Sequence, residues 1–88
     1  MFAKWLFKLR DREAKARILV RIRRMTLGNP GDIKPVGQGV SELRVDYGPG
    51  YRIYVAMQNE RLVVLLCGGD KSRQQVDIKT AWKLAKEL

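Results

Sequence analysis

Histidine is absent from this chain of 88 residues, and cysteine occurs once, at Cys67. These two scarcities exclude a zinc site built from Cys and His, a Ser-His-Asp triad and a Cys-His pair. Any chemistry therefore falls to Lys, Arg, Tyr, Asp or Glu, and no metal or cofactor is expected. Cys67 lies within the apolar run Leu62 to Cys67 with no second thiol to oxidise to, so it reads as a core residue in a reducing compartment. That run is the longest strongly apolar stretch and is far too short to cross a bilayer, while the N-terminus lacks the apolar core of a signal peptide. The expected location is the cytoplasm, without membrane attachment.

Negative charge is scarce as well. Nine Asp and Glu stand against eighteen Lys and Arg, a net charge of +9. So strong a field on so small a body draws polyanions, chiefly nucleic acid or an anionic membrane. The alternatives are a charge that serves only solubility, or an acidic protein partner that covers it. The length predicts one domain over residues 1–88, burying ~60–65% of the surface that the unfolded chain exposes. The apolar share of 45% is spread along the sequence, as a folding chain requires.

Apolar Trp5, Leu6 and Leu9, then Ala14, Ile18, Ile22 and Met25, recur at helical steps. Asp11 suits an N-cap, with Glu13 in the first turn behind it, so a short helix is expected to fold back onto a longer one. Gly28, Asn29 and Pro30 end the second helix. The first 24 residues hold nine of the eighteen basic side chains, a solvated helix face or a phosphate-tracking surface. Gly31 to Gly39 reads as a loop in which Lys34 is extended beside Pro35. The period then changes to two, predicting three strands, Val40–Val45, Tyr51–Met57 and Leu62–Cys67. Tight turns at Tyr47-Gly48-Pro49-Gly50 and Gln58-Asn59-Glu60 would make them an antiparallel meander. Ser72 and Gln75 form a capping-box pattern before a C-terminal helix whose apolar face is Ile78, Ala81, Trp82, Ala85 and Leu88.

Seven strings occur in one order: Lys4-Trp5-Leu6, Ala14-Lys15-Ala16-Arg17-Ile18, Leu27-Gly28-Asn29, Lys34-Pro35-Val36-Gly37, Ser41-Glu42-Leu43-Arg44, Tyr47-Gly48-Pro49-Gly50-Tyr51-Arg52 and Leu66-Cys67-Gly68-Gly69-Asp70-Lys71-Ser72. In combination, over nearly the whole chain, they resemble the phage-type addiction module killer branch of the RelE/HigB superfamily of toxins. The resemblance implies an α+β fold, with the helical hairpin and C-terminal helix packed on a small twisted antiparallel sheet. Such toxins usually begin with a further β-strand, whereas Met1 here directly precedes the Lys-Trp-Leu helix. Three strands and an exposed sheet edge are therefore expected, the edge open to a second copy or an antitoxin.

The function implied is that of a type II toxin-antitoxin toxin, a metal-independent endoribonuclease that cleaves mRNA on the ribosome and inhibits translation. Its cognate antitoxin would be a helix-turn-helix DNA-binding protein, in a hetero-oligomer or beside a toxin dimer. Cleavage by attack of a 2′-hydroxyl on the adjacent phosphate needs a proton acceptor, stabilisation of the developing charge and a proton donor to the 5′-oxygen. A lysine or arginine can serve as base only with a lowered pKa, which crowding of positive charges favours. By resemblance, Arg52 falls on the scissile phosphate and Arg44 takes a proton-transfer role. Lys71 matches a second phosphate cation, with Arg73 as its neighbour and substitute. Lys34 would reach the RNA from its loop, Tyr47 would stack on a base, and Asp77 occupies the place where the family often has a tyrosine or histidine. Asp70 and Asp77 could orient the cations, and Glu42 is a further acid or base candidate. Tyr51, Tyr54 and Trp82 read as core. The rival readings are a catalytically inactive RNA- or ribosome-binding module, and a structural partner that only docks an antitoxin.

Overall fold

Asp11 interrupts the N-terminal helical region and turns it into a hairpin of α1 (Phe2–Lys8) and α2 (Arg12–Thr26). Its Oδ1 accepts the amides of Glu13 at 3.0 Å and Ala14 at 3.2 Å, two donors that the first turn leaves without an intrahelical partner. At the other end Gly28 takes φ +89°, and the Asn29 amide bonds back to the Arg24 carbonyl at 2.9 Å. The computed structural model describes residues 1–58 and 62–88.

Four strands, β1 (Ile33–Gly37), β2 (Val40–Val45), β3 (Tyr51–Gln58) and β4 (Leu62–Asp70), form an antiparallel sheet in chain order. The expectation of three strands is corrected by β1, which takes up most of the glycine- and proline-rich stretch expected to be a loop. Two residues with positive φ, Gln38 at +53° and Gly39 at +76°, turn the extended Lys34-Pro35 segment back onto β2. Pro35 lacks an N–H, which an edge strand tolerates. The Trp82 indole N–H then ties the strand down from α3 (Gln74–Lys86), reaching the Val36 and Gly37 carbonyls at 3.1 Å each. The connection expected at Gln58-Asn59-Glu60 runs into residues 59–61, outside the described residues.

Strand alternation divides the core in two. Leu43, Val45, Ile53 and Val55 face the hairpin and meet Phe2, Ala14 and Ile18, while Val40, Tyr54, Ala56, Leu66 and Cys67 face α3 and meet Ala81. Gly68 and Gly69, consecutive on β4, point to opposite sides. A Cβ on Gly68 would collide with the Trp5 ring, and one on Gly69 with the Asp77 carboxylate. The paired glycines thus let α1 and α3 approach the same strand from both faces.

Lys71–Arg73 form a 3-10 turn ahead of α3, and the expected Ser72–Gln75 capping box is not made. Asp70 caps instead. Its Oδ1 accepts the Ser72 amide at 2.9 Å and also the Ser72 hydroxyl, which is thereby occupied. Among the described residues no helix is long and apolar enough to cross a membrane.

Candidate functional site

The register of β2 and β3 sets Arg44 opposite Arg52 and Glu42 opposite Tyr54. Directly opposed residues share a face of the sheet, here the face of α3, and two opposed guanidinium groups repel. Glu42 relieves that repulsion from below. Its side chain is wholly buried, with Oε1 2.9 Å from Arg44 Nε and 3.5 Å from Arg52 Nε. Oε2 accepts from the Tyr54 hydroxyl at 3.1 Å and from Gln74 Nε2, at the start of α3, at 2.9 Å. Arg52 Nε has no directed hydrogen bond, so its link to Glu42 is an ion pair.

Burial alone would raise the pKa of Glu42, but hydrogen bonds from Arg44, Gln74 and Tyr54, with the charge of Arg52, hold it below the ordinary carboxylate range. The hydrogen bond to Glu42 raises the Arg44 pKa in turn. For Arg44 this direction is opposite to the lowering that a lysine or arginine base would need. The Glu42 carboxylate, 2.9 Å from Arg44 Nε, sets that direction.

Arg44 and Arg52 open into a cleft of about 240 Å³, lined also by Lys71, Asp32, Asp46 and Tyr51. The Gly50 carbonyl organises its mouth by accepting the Lys71 amide at 2.8 Å and Arg52 Nη1 at 3.2 Å. A Cβ on Gly50 would meet Arg52 Nη1 at 3.4 Å and the Lys71 Cβ at 3.6 Å, ordinary contact distances, so it is the φ of +81° and not space that calls for glycine at this turn.

The other expected site residues lie elsewhere. Arg73 is largely exposed, 3.9 Å from Asp77 Oδ1 across one turn of α3. Lys34 is exposed on β1, in register with Glu42 but outside the cleft lining. Tyr47 packs against the hairpin core with the Arg17 guanidinium 4.6 Å over its ring, so that face already carries a stacking partner. Glu42 is enclosed and touches the site only through the arginines. Arg21 also departs from the phosphate-tracking surface, because its side chain donates to the carbonyls of Arg44, Asp32 and Pro30. Sequence reasoning missed Gln74, Asp32 and Asp46. Gln74 carries no local sign of its partner, 32 residues away.

Asp77 is buried over Gly69, and its Oδ2 has no hydrogen-bond partner. Burial raises its pKa, opposed by Arg73 and reinforced by Asp70. A carboxyl whose folded pKa is raised costs stability once pH climbs above its unfolded value and costs nothing below it. Asp77→Asn is therefore expected to raise the thermal midpoint at pH 7, with the gain vanishing below about pH 4, the unfolded pKa range. Unfolding scans at the two pH values check this, and an equal gain at both would show that charge is not the cause.

A second groove of about 340 Å³ runs along α2, lined by Glu13, Arg17, Arg21 and Arg24, and it shares Val45 and Asp46 with the cleft. Among the described residues no group of three or more Cys, Asp or Glu is placed to hold a metal ion.

Among known proteins, the family described as phage derived protein Gp49-like (DUF891) matches residues 4–88. The chain belongs to the Gp49-like family. This is a family of addiction-module toxin-like proteins. An uncharacterized protein of Haemophilus influenzae is 58% identical over 87 residues, covering 99% of this chain and 88% of the relative. No solved structure matches the chain. In this Gp49-like chain the matched region takes in every residue of the cleft.

Proposed function

We propose that the chain is the toxin of a type II toxin-antitoxin module, an endoribonuclease that cleaves mRNA on the ribosome and is neutralised by a cognate antitoxin. The observation that carries this reading is the convergence of Arg44, Arg52 and Lys71 on one cleft, with the two arginines braced from behind by buried Glu42. Cations fixed before the substrate arrives need no reorganisation as charge develops on a phosphorane, and electrostatic stabilisation of this kind is commonly the largest catalytic contribution. In the reaction the 2′-oxygen bonds to phosphorus and the 5′-oxygen departs, leaving a 2′,3′-cyclic phosphate. The hydroxyl proton goes to a base and a proton reaches the leaving oxygen. Asp32 and Asp46, both on the lining, are the carboxylates within the cleft suited to accept a proton.

With Glu42, these two carboxylates balance the three cations. Attraction of the polyanion therefore rests on the wider +9 of the chain, and on the α2 groove that carries Arg17 and Arg24 away from the cleft. One observation favours a second reading, RNA or ribosome binding without cleavage: Arg44 is held in its charged form by Glu42 and cannot serve as a base.

Induction with and without the neighbouring antitoxin gene, followed by growth measurement and mapping of mRNA 5′ ends by primer extension, separates the readings. New ends within reading frames are expected when the chain is induced alone. Growth arrest without new ends would leave binding as the function.

A further inference from the structure

The groove along α2 meets the arginine cleft at Val45 and Asp46, the two residues that line both. Ala16, Val20 and Val45 give it an apolar wall. Arg17, also on its lining, lies 4.6 Å over the Tyr47 ring and is steadied by Glu13, whose Oε1 is 3.1 Å from Arg17 Nε. The side chain is nevertheless 52% exposed. A guanidinium stacked on one ring has its plane set, and its open face can take a second flat group. Arg21 is spent on main-chain carbonyls, so the exposed Arg24 is the groove's freer cation. Asp46 is the anomaly in this setting. It is exposed, with Arg17, Arg21 and Arg24 on the groove side and Arg44, Arg52 and Lys71 on the cleft side, yet among the described residues it forms no ion pair with any of them. A bare carboxylate on a phosphate track repels the backbone that the cations attract. As an acceptor with two oxygens and no proton to give, it suits a base edge that presents donors.

We propose that the α2 groove is a nucleobase pocket that selects guanine in the RNA strand entering the cleft, with Arg17 as the stacking platform and Asp46 as the acceptor for the Watson–Crick edge. That this strand is a substrate rests on the endoribonuclease reading above. Guanine alone among the four bases sets two donors side by side on that edge, N1–H and N2–H, and they match the two oxygens of a carboxylate. Adenine and cytosine place a ring-nitrogen acceptor beside their amino group, and uracil flanks its one N–H with two carbonyls. Each of those three therefore brings a lone pair against Asp46. Groove and cleft are continuous through Asp46, so a base held in one and a phosphate held in the other can belong to a single strand. With Asp46 engaged by a base, proton acceptance falls to Asp32, which lines the cleft and not the groove.

The test uses the full chain and single-stranded RNAs of about six nucleotides, all uridine or with one central guanine, adenine, cytosine or inosine. All carry 2′-fluoro sugars, so that no hydroxyl can attack a phosphate and binding is read apart from cleavage. At low salt the guanine RNA should bind at least about fivefold more tightly than the uridine, adenine and cytosine RNAs. It should also bind more tightly than the inosine RNA, which lacks the N2 amino group. Asp46→Asn, at an exposed position outside the core, should bring the affinities to within about twofold of one another, because an amide sets one donor beside one acceptor. Arg17→Lys keeps the charge but not the plane, and should weaken guanine binding about fivefold with the salt dependence unchanged. In parallel, mapped mRNA cuts should carry guanine at one fixed position from the cleaved bond. Cuts indifferent to guanine would overturn the pocket as a selector of substrate and leave the nuclease reading standing, whereas guanine preference in binding without any cuts would uphold the pocket and remove the nuclease. Equal affinity for all the RNAs, no measurable binding, or a preference that Asp46→Asn retains would each overturn the proposal.

Discussion

Replacing Arg52 with alanine should slow single-turnover mRNA cleavage on programmed ribosomes on the order of 10²- to 10³-fold. Arg52 stands opposite Arg44 at the cleft, and its side chain is only 11% exposed, so its charge acts from a mostly dehydrated position. Its Nη1 is oriented by the Gly50 carbonyl at 3.2 Å, and its Nε faces Glu42 at 3.5 Å. On the proposed endoribonuclease reading, a cation held this way would stabilise charge that exists only as the phosphorane forms, whereas ground-state attraction would be shared with many other basic side chains. The rate should therefore fall far more than ribosome affinity. Stability should drop by about 1–2 kcal/mol, because Glu42 keeps Arg44, Tyr54 and Gln74 as partners. A rate loss under about tenfold, with an unchanged thermal midpoint, would mark Arg52 as a bystander in the reaction.

Glu42→Ala should be among the most destabilising single changes in the chain. It would leave two guanidinium groups facing each other and strip the Tyr54 hydroxyl and the Gln74 amide of their acceptor. Removing one partner of a buried ionic network costs about 3–5 kcal/mol, a large share of the ~5–15 kcal/mol available to a typical domain. The sign of the pH dependence follows from the lowered pKa of Glu42. A carboxyl whose folded pKa is depressed contributes stability above its unfolded pKa of about 4.3 and loses it as pH falls through the folded value. The milder Glu42→Gln should therefore cost most at neutral pH and progressively less on acidification. Urea unfolding of the wild type and this variant at pH 7 and pH 3 measures the difference. A gap that stays constant would show that Glu42 acts by shape and not by charge.

Both experiments turn on a carboxylate whose place in the site was only partly legible. Its spacing is visible, since Glu42 and Arg44 are two apart on a strand and must share a face. Its role is not, because a Glu-Leu-Arg string reads equally well as an exposed acid ready for proton transfer. Burial by α3 decides the matter. Gln74 is brought in by a helix that begins beyond β4, and this contact encloses the carboxylate. Asp32 and Asp46 escaped notice for a related reason. Each lies next to a strand end, and only the folding of β1 and of the β2–β3 turn carries them to one cleft.

Residue pattern alone determined the hairpin, the three apolar strands and the C-terminal helix, because these depend on local periodicity and on caps such as Asp11 that act within a few residues. It also excluded any site that needs histidine or a second cysteine, leaving Lys, Arg, Tyr, Asp and Glu as the side chains available for chemistry. Tertiary structure decided the rest. Pairing with β2 and the Trp82 anchor made a strand of Ile33–Gly37, whose composition is that of a loop. Register set Arg44 against Arg52, and packing from opposite faces turned Gly68 and Gly69 into seats for Trp5 and Asp77. Contacts between residues tens of positions apart leave no periodic trace in the chain, because their partners are chosen by the fold and not by the neighbouring sequence.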